Sequence, residues 1–533
     1  MKAFFHKRSS MTVAAAALIL LLLAKYFWSF FAFPGVPFGY DAGIYRYLFL
    51  KHAHAFPPFL VTTLPPWAAA HPLGLFFFST LLLDLGVPVD SLIGWVWNLF
   101  PVVLSIVFAS VLSRRHGTQF GLLLLLVCVL STVQLQGFLM IYWKVFVALL
   151  WSVLAFDAFE RNSRVWIVFG MMVIATHQQI GLIFVLAVLG ATFCGDRKHL
   201  LQALSRWLLS CVLGALWYLP NAERAIGDIL PLLFGSFVLR LALLIAGLGI
   251  GVFFIVRAVP KHLYILLWML CFLFVTVGVL VPLTGHAPAA LSHLLDRSMD
   301  TNGGSFFTMR EYLQRSLPLL LLGCIGFFSS LRRERGSVWQ FAVMVCVLAV
   351  VTHAFFYRRF LLPLDFYLLP CAAWGIRELW DRRLWATRLL VLVLIVAQGY
   401  LLFQHIRSLD PHVEPAMLAF FAELPSTVEP SAQVIVLDTM APWVVGYLLD
   451  AEVSGPGIFD SQPLEAWQTF LYGSHADREL FIKHYPLGTY FFASDVFRAY
   501  YPPQVQTLLT DPCLLPTTMT GLFRSACSAS ASI

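Results

Sequence analysis

A single carboxylate, Asp41, stands in the first polar segment of this 533-residue chain, within the stretch Phe38 to Tyr47. Its polar neighbours in that stretch are Tyr40, Tyr45, Arg46 and Tyr47. A carboxylate at an apolar boundary can serve as a general base, because its surroundings set its pKa and its position. Asp is also a good helix N-cap, and tyrosines are common in interfacial belts, so a purely structural interpretation stays open.

Two histidines downstream extend this set of candidate substrate-binding groups. His54 follows the polar segment closely, and His71 opens the sequence His-Pro-Leu-Gly. A third, His177, stands beside Gln178 and Gln179 and could hydrogen-bond a sugar or a phosphate. A polar turn at a membrane interface would look the same.

Three cations are candidates for binding an anion. Arg358 and Arg359 lie on the predicted outer side of the membrane, where basic residues are disfavoured, and such charges usually have a functional partner. Guanidinium groups bind phosphate bidentately. The alternative is that both snorkel to lipid headgroups. Lys144 is either a second phosphate ligand or an interfacial anchor.

The composition requires a membrane. Hydrophobic residues make up 60% of the chain and charged residues only 12%, against about 25% charged in a soluble domain. Apolar runs recur at the length of about 20 residues that a span needs. The net charge of +7 lies in short clusters between these runs and does not indicate nucleic-acid binding. CxxC, HExxH and Walker-type phosphate-loop motifs are absent from the sequence.

Basic clusters set the predicted topology, because cytoplasmic loops attract Lys and Arg. We place the following clusters inside: Lys7-Arg8, Arg114-Arg115, Arg161 with Arg164, Arg197-Lys198, Arg257 with Lys261, Arg332-Arg333 with Arg335, and Arg377 with Arg382-Arg383. Two crossings must separate each from the next. Residues 165–193 then divide at Thr176 to Gln179, residues 121–158 hold two spans with Gln134 to Lys144 outside, and residues 72–85 lie in the outer interface.

These constraints predict a polytopic α-helical membrane protein with about thirteen spans, its N-terminus inside and its C-terminus outside. Residues 1–406 form the transmembrane domain, with a large first outer loop at 34–90. Residues 407–533 form a small extracytoplasmic α/β domain, with strands expected near Val434 to Leu437 and Thr489 to Phe492. Cys513 and Cys527 could pair there or remain two free thiols.

An Asp shortly after the first span, an aromatic-rich helix after it and a His-Pro-Leu segment before the second span resemble the GT-C superfamily of membrane glycosyltransferases. That superfamily uses polyprenyl-phosphate sugars and includes protein mannosyltransferases, aminoarabinose transferases and oligosaccharyltransferases. His177, the segment Tyr357 to Pro363 and the C-terminal domain add to the resemblance. It implies Asp41 as base or acceptor-orienting carboxylate, His71 at the cleft, and Arg358 and Arg359 on the lipid phosphate.

One departure concerns metal. Many metal-dependent relatives have an acidic pair in the second outer loop, whereas Gln134 to Lys144 contains no carboxylate. A hard divalent cation needs several oxygen ligands. We therefore expect a metal-independent site with no cofactor.

The leading hypothesis is inverting transfer of a hexose or pentose from a polyprenyl-phosphate donor to a protein, lipid or glycan acceptor at the extracytoplasmic face. A bacterial inner membrane is expected from the layout. Two alternatives stay open. A lipid flippase or transporter would show charged or broken helices at mid-membrane, and the sequence puts few ionisable groups there. A non-catalytic scaffold of the same fold would use Asp41 only as a cap.

Overall fold

A computed structural model describes residues 2–58, 64–69, 71–194, 200–218, 306–333, 336–351, 357–382, 384–456, 459 and 462–527. Their contacts divide the chain into two compact units. We call Met1–Ser29, Pro72–Phe78 and Trp95–Asp410 the membrane unit, and Phe30–His71, Ser79–Gly94 and Pro411–Ile533 the sheet unit. The predicted inner clusters at Arg197-Lys198 and at Arg257 with Lys261 lie outside the described residues.

The regular structure of the described residues before residue 408 is helical. In chain order they are α1 Lys2–Ala32, α2 Ala42–His52, α3 Pro66–Ala69, α4 Gly74–Asp84, α5 Val89–Gly94, α6 Leu99–His116, α7 Thr118–Leu130, α8 Thr132–Leu139, α9 Trp143–Glu160, α10 Trp166–Thr176, α11 Gln178–Cys194, α12 Leu200–Leu216, α13 Met309–Arg333, α14 Val338–Val351, α15 Leu361–Asp381 and α16 Trp385–Arg407. Short 3₁₀ turns at Val96–Asn98 and Tyr357–Phe360 precede α6 and α15.

Four helices of the described chain are long and apolar enough to cross a membrane: Ser10–Ala32, Val89–His116, Met309–Leu331 and Trp385–Arg407. The count rises to five if α7 and α8, which are bent by 56° at their junction, form one broken span. Shorter apolar helices of 10–17 residues accompany them. The chain is a mostly helical integral membrane protein, and the tally of thirteen spans and the sides of its termini stay predictions.

One predicted helix break is confirmed, and a second apolar stretch is a short helix as expected, although its place in the outer interface stays a prediction. Helix α10 ends at Thr176 and α11 begins at Gln178, so that His177 alone separates them. The apolar stretch after Pro72 forms the 11-residue helix α4, shorter than a span.

The prediction of a loop over Gln134 to Lys144 is wrong in its first half. Thr132–Leu139 is helix α8, and Gln134 is buried. The cause is Ser131, whose extended backbone ends α7 and whose hydroxyl accepts the Gln134 N–H, so that a new helix begins at once.

Glycine allows close packing between α13 and α15 in the membrane unit. A Cβ on Gly326 of α13 would stand 1.7 Å from the Cys371 carbonyl of α15, and a Cβ on Gly375 would stand 2.1 Å from the Leu322 carbonyl. Such close backbone approach is a common basis of helix association in membranes, where burying apolar surface gives little driving force.

The elements after residue 410 belong to the sheet unit. In chain order they are α17 Pro415–Thr427, β1 Gln433–Val436, α18 Ala441–Tyr447, β2 Glu452–Ser454, α19 Leu464–Tyr472, α20 His475–Lys483, β3 Tyr490–Phe492, α21 Asp495–Tyr500, α22 Pro503–Gln506, β4 Leu514–Pro516 and β5 Leu522–Ser525. Both predicted strand positions coincide with strands, namely β1 and β3.

The five strands form one mixed sheet in the order β2-β1-β3-β5-β4. Strand β1 runs parallel to β2 and to β3, whereas β5 is antiparallel to β3 and β4. Buried Ile435, Phe470, Phe491 and Phe523 belong to a core between the sheet and its helices. Cys513 and Cys527, left open by the sequence, form a disulfide.

Candidate functional site

Asp41 holds the N-cap position of α2 in the sheet unit, but its side chain makes no capping hydrogen bond. Its carbonyl oxygen accepts the Tyr45 N–H at 3.1 Å, which starts the helix. The side chain is partly exposed. Asp41 therefore stands at the N-cap position, but it does not make the side-chain hydrogen bond to the backbone that makes Asp favourable at helix N-caps.

A second carboxylate, Asp438, affects the pKa of Tyr40 together with Asp41. Burial, together with the negative charges of Asp41 and Asp438, raises the pKa of Tyr40 to about 12. The Tyr40 hydroxyl therefore stays protonated at neutral pH and can donate a hydrogen bond. Asp438, which lies two residues after the end of β1, was not among the predicted site residues. Its signal was visible as a carboxylate that ends a buried apolar run.

Asp438 joins the carboxyl ends of β1 and β3. It is buried, and its oxygens accept the Met440 N–H at 2.9 Å, the Ser494 N–H at 2.9 Å and the Ser494 hydroxyl at 2.6 Å. Burial raises the pKa of Asp438, while these hydrogen bonds lower it. This residue fixes the two strand ends relative to each other.

Two glycines seat α2 against α18. A Cβ on Gly43 would stand 2.1 Å from the Pro442 carbonyl oxygen, and a Cβ on Gly446 would stand 2.5 Å from the Gly43 carbonyl oxygen. Only residues without a side chain permit this backbone contact. The helix that begins with Asp41 is thus held directly on the C-terminal part of the sheet unit.

Arg46 strengthens the same junction. Its Nε donates to Asp90 at 2.9 Å, Nη1 donates to the Gly446 carbonyl at 2.6 Å, and the guanidinium lies 4.4 Å from the centre of the Tyr447 ring. Three protein partners surround a side chain that we predicted to bind substrate. The substrate-binding role of Arg46 stays a prediction, whereas its contacts with α18 are observed and hold α2 in place.

The remaining predicted groups of the first outer segment divide into buried and exposed. Tyr45 is 2% exposed and its ring lies 6.5 Å from that of His71, so the structure brings these two together. The side chain of His54 is 85% exposed and its Nδ1 lies 3.2 Å from the Asp84 carboxylate.

The membrane unit contains a separate cluster of positive charge around His177. Burial and the charges of Lys144 and Arg359 lower the pKa of His177 to about 3. His177 lies in the connection between α10 and α11, Lys144 in the first turn of α9, and Arg359 in the 3₁₀ turn before α15. The structure therefore brings together three predicted residues that lie far apart in the sequence. We call them the cation cluster.

The neutral imidazole of His177 has a defined tautomer. The Ile180 N–H points to His177 Nδ1 at 3.4 Å, which makes Nδ1 the acceptor and places the ring proton on Nε2. An N–H donor beside an ammonium and a guanidinium is a set of groups suited to an anionic oxygen.

Arg358 and Tyr142 flank this cluster. Arg358 shares the 3₁₀ turn with Arg359, and the Arg359 guanidinium lies 6.0 Å from the centre of the Tyr142 ring. Tyr142 in turn packs edge-to-face on Phe306 at 5.7 Å. The loop Asp296 to Ser305, a candidate mobile loop by composition, lies outside the described residues.

Sequence reasoning missed a buried polar network at the α7–α8 break. Lys25 Nζ donates to the carbonyl oxygens of Cys128 at 2.9 Å and Ser131 at 2.6 Å. The Asp365 carboxylate accepts from the Ser131 hydroxyl at 2.7 Å and from Gln134 Nε2 at 2.9 Å. Charges inside apolar runs, here Lys25 and Asp365, are the signal that could have found it.

The network also explains how the bent α7–α8 pair is stabilised. A helix end leaves carbonyl oxygens without intrahelical partners, and inside a membrane water cannot satisfy them. Lys25 supplies donors to two of these oxygens, and Gln398 of α16 donates to the Leu130 carbonyl at 3.2 Å.

One group of three possible metal ligands occurs among the described residues: Glu479, Cys513 and Cys527. The two sulfurs are already joined in the disulfide, and a metal-binding cysteine must be a thiolate. This group does not fit a metal ion.

Comparison with known proteins places the fold. No family model and no curated protein matches the sequence. Among solved structures, the chain matches the oligosaccharyltransferase of Archaeoglobus fulgidus, crystallised with zinc and sulfate, with a TM-score of 0.57 and 13% identity. The match covers 97% of this chain and 73% of that one. The likeness shows that the two chains share a fold, and it leaves the subtype and the activity open.

Proposed function

We propose that this protein is a membrane glycosyltransferase that moves a sugar from a polyprenyl-phosphate donor to an acceptor at the extracytoplasmic face, with inversion at the anomeric carbon. The cation cluster carries the proposal. Lys144 and Arg359 both lower the pKa of the partly buried His177, which keeps its imidazole neutral, and the chain shares its fold with an oligosaccharyltransferase. Cations gathered around a partly buried, neutral imidazole suit the binding of an anion.

The donor phosphate fits this cluster chemically. When the sugar departs, negative charge develops on the phosphate, and cations placed there stabilise the transition state. Arg358 and Arg359 supply guanidinium donors, Lys144 a point charge, and His177 a neutral Nε2–H. The phosphate leaves already ionised, so no general acid is needed.

Asp41 is the proposed general base. It would accept the proton of the acceptor hydroxyl while that oxygen attacks the anomeric carbon and the bond to phosphate breaks. One displacement of this kind inverts the configuration and needs a single carboxylate. The position of Asp41 at the start of α2, where its side chain is partly exposed, supports this role.

We propose a metal-independent reaction, supported by the sequence of the α8–α9 region. Residues 131–144 contain no carboxylate, and hard divalent cations prefer several oxygen ligands. Transfer activity that survives EDTA is the expected outcome, and activity restored only by Mg²⁺ or Mn²⁺ would contradict it.

The disulfide supports an extracytoplasmic position of the sheet unit, because disulfides persist in oxidising compartments. We propose a bacterial inner membrane on the layout predicted from sequence. Reaction of the two cysteines with a membrane-impermeant maleimide, only after reduction of intact cells, tests the side.

The decisive experiment is mass spectrometry of polyprenyl-phosphate sugars in membranes that contain the wild type, Asp41→Asn or neither. We expect one lipid-linked sugar to be depleted by the wild type alone, which also identifies the donor. If the folded wild type leaves every such lipid unchanged in membranes supplied with candidate protein, lipid and glycan acceptors, the proposal is wrong. Equal depletion by Asp41→Asn would instead remove Asp41 as the base.

A transporter of lipid-linked substrates is the second candidate, and one observation favours it. Lys25 and Asp365 form a buried polar network beside a broken helix, which is typical of transport pathways. In reconstituted vesicles, movement of a fluorescent polyprenyl-phosphate lipid between leaflets, abolished by Asp365→Asn and kept by Asp41→Asn, would favour transport over transfer.

A further inference from the structure

A cavity of about 580 Å³ opens at the carboxyl edge of the sheet, entirely within the sheet unit. Its floor includes Met440 after β1 and Phe492, Ala493 and Ser494 at the end of β3. We call it the crevice. Cavities that hold small ligands are typically about 300–1,000 Å³ in volume.

The position of the crevice follows from the topology of the sheet. The chain passes from β1 to β2 on one side, then returns to place β3 on the other side of β1, and all three strands are parallel. The direction of winding therefore changes between β1 and β3. Open sheets with parallel strands bind ligands at the carboxyl ends of such a pair, because the connections diverge there and leave a gap.

The side chains at the rim can donate and accept hydrogen bonds. Glu414 and Asp495 present carboxylates, Arg498 a guanidinium and His412 an imidazole, and all four are exposed. Among the described residues, no hydrogen bond or ion pair engages these four side chains. Two carboxylates against one guanidinium disfavour a phosphate or another anion and favour a neutral ligand rich in hydroxyl groups.

The apolar surface of the crevice favours the same ligand. Tyr500 at the rim is 83% exposed, and Phe420 and Phe492 line the interior. Aromatic faces stack on the C–H face of a pyranose ring, while carboxylate and guanidinium groups bind its hydroxyls. A cavity that combines both suits a carbohydrate better than an ion or a lipid chain.

We propose that the crevice is a binding site for a neutral oligosaccharide. Met440 and Ser494, which line the crevice, donate hydrogen bonds to Asp438. Helix α2, which begins after Asp41, packs on α18 directly after Met440, so the crevice belongs to the same part of the sheet unit as the proposed base. The further step, that the bound glycan is the acceptor, rests on the proposed function.

The test uses the full chain in lipid nanodiscs and an array of neutral oligosaccharides of two to five hexose or N-acetylhexosamine units. Binding of the best glycan is then measured by calorimetry. We expect Tyr500→Ala and Asp495→Asn each to weaken binding about fivefold to tenfold. Tyr472→Ala and Glu465→Gln are matched controls, since both residues are exposed on α19 and lie outside the crevice, and they should bind as the wild type does.

Three results would overturn the proposal: no glycan bound by the wild type, equal binding by the crevice variants, or Tyr500-dependent binding of a panel of 12-residue peptides in place of glycans. Melting temperatures of all variants show that each is folded. Asp41→Asn separates the two hypotheses. If it and the wild type bind glycan but neither consumes a lipid-linked sugar, the proposed function fails and the crevice stands. If transfer occurs and the crevice variants neither lose binding nor raise the acceptor KM, the crevice fails and the function stands.

Discussion

The cation cluster of the membrane unit and helix α2 of the sheet unit are built in opposite ways. Lys144, His177 and Arg359 come from three separate helix ends and meet only because their helices pack. Asp41 and Arg46 lie on one short helix, and glycine contacts fix that whole helix on α18. A single substitution in the cation cluster should therefore remove one charge and leave the others in place. A change in the packing of α2 on α18 should instead move every side chain on that helix.

The largest expected effect comes from Asp41→Asn. Because the amide cannot accept the acceptor proton, we expect kcat to fall by about two to four orders of magnitude, the usual contribution of a general base. Single-turnover transfer of the identified lipid-linked sugar measures this. Glu423→Gln, which changes an exposed carboxylate on α17, is the control and should retain most activity. Wild-type kcat in a folded Asp41→Asn variant would contradict the assignment.

Removal of one cation from the cluster should have the next largest effect. Arg359→Gln or Lys144→Gln removes charge stabilisation at the departing phosphate, which we expect to lower kcat/KM about 10²-fold. Arg388→Gln on α16 is the control, since its guanidinium lies over the Trp380 ring, 5.6 Å from its centre. If Arg359→Gln leaves kcat/KM for the lipid-linked donor unchanged, the cation cluster does not bind the donor phosphate.

Overpacking the α2–α18 contact tests the other side of the comparison. In Gly43→Ala the new methyl group would meet the Pro442 carbonyl, and we expect about 1–3 kcal/mol of lost stability with reduced turnover. Gly94→Ala, where a Cβ meets nothing within 4 Å, is the matched control. Chemical denaturation followed by tryptophan fluorescence measures the difference. Equal stability of both variants would show that the glycine contact does not hold α2.

The smallest expected effect is a pH dependence of stability from His177. Its pKa is lowered to about 3 in the folded chain from an ordinary 6.5. Between these values the unfolded chain binds a proton that the folded chain does not, so stability is lost as pH falls below 6.5.

His177→Gln should therefore lose less melting temperature than the wild type between pH 6.5 and 4. Lys144→Gln should raise the pKa of His177 and weaken the dependence in part. A wild type and a His177→Gln variant with parallel pH profiles would show that His177 is not held neutral by the cluster.

Local patterns were sufficient for much of the fold. The break at His177 and the short helix after Pro72 follow from the spacing of the basic clusters, and the strands β1 and β3 follow from short apolar runs. These features depend on the order of charged and apolar residues along the chain, which is why they were predictable. Helix α8 was not, because one serine cap restarts the helix within a single residue.

The sequence alone determined that this protein lies in a membrane and which residue types could bind an anion or accept a proton, since composition and charge are local properties. Only the tertiary structure decided that Lys144 and Arg359 act on His177, that Arg46 binds the Gly446 carbonyl, and that Lys25 satisfies carbonyls of a broken helix. These depend on contacts between residues up to 400 positions apart, such as Arg46 and Gly446. Helix and strand packing creates such contacts, and no pattern along the chain records them.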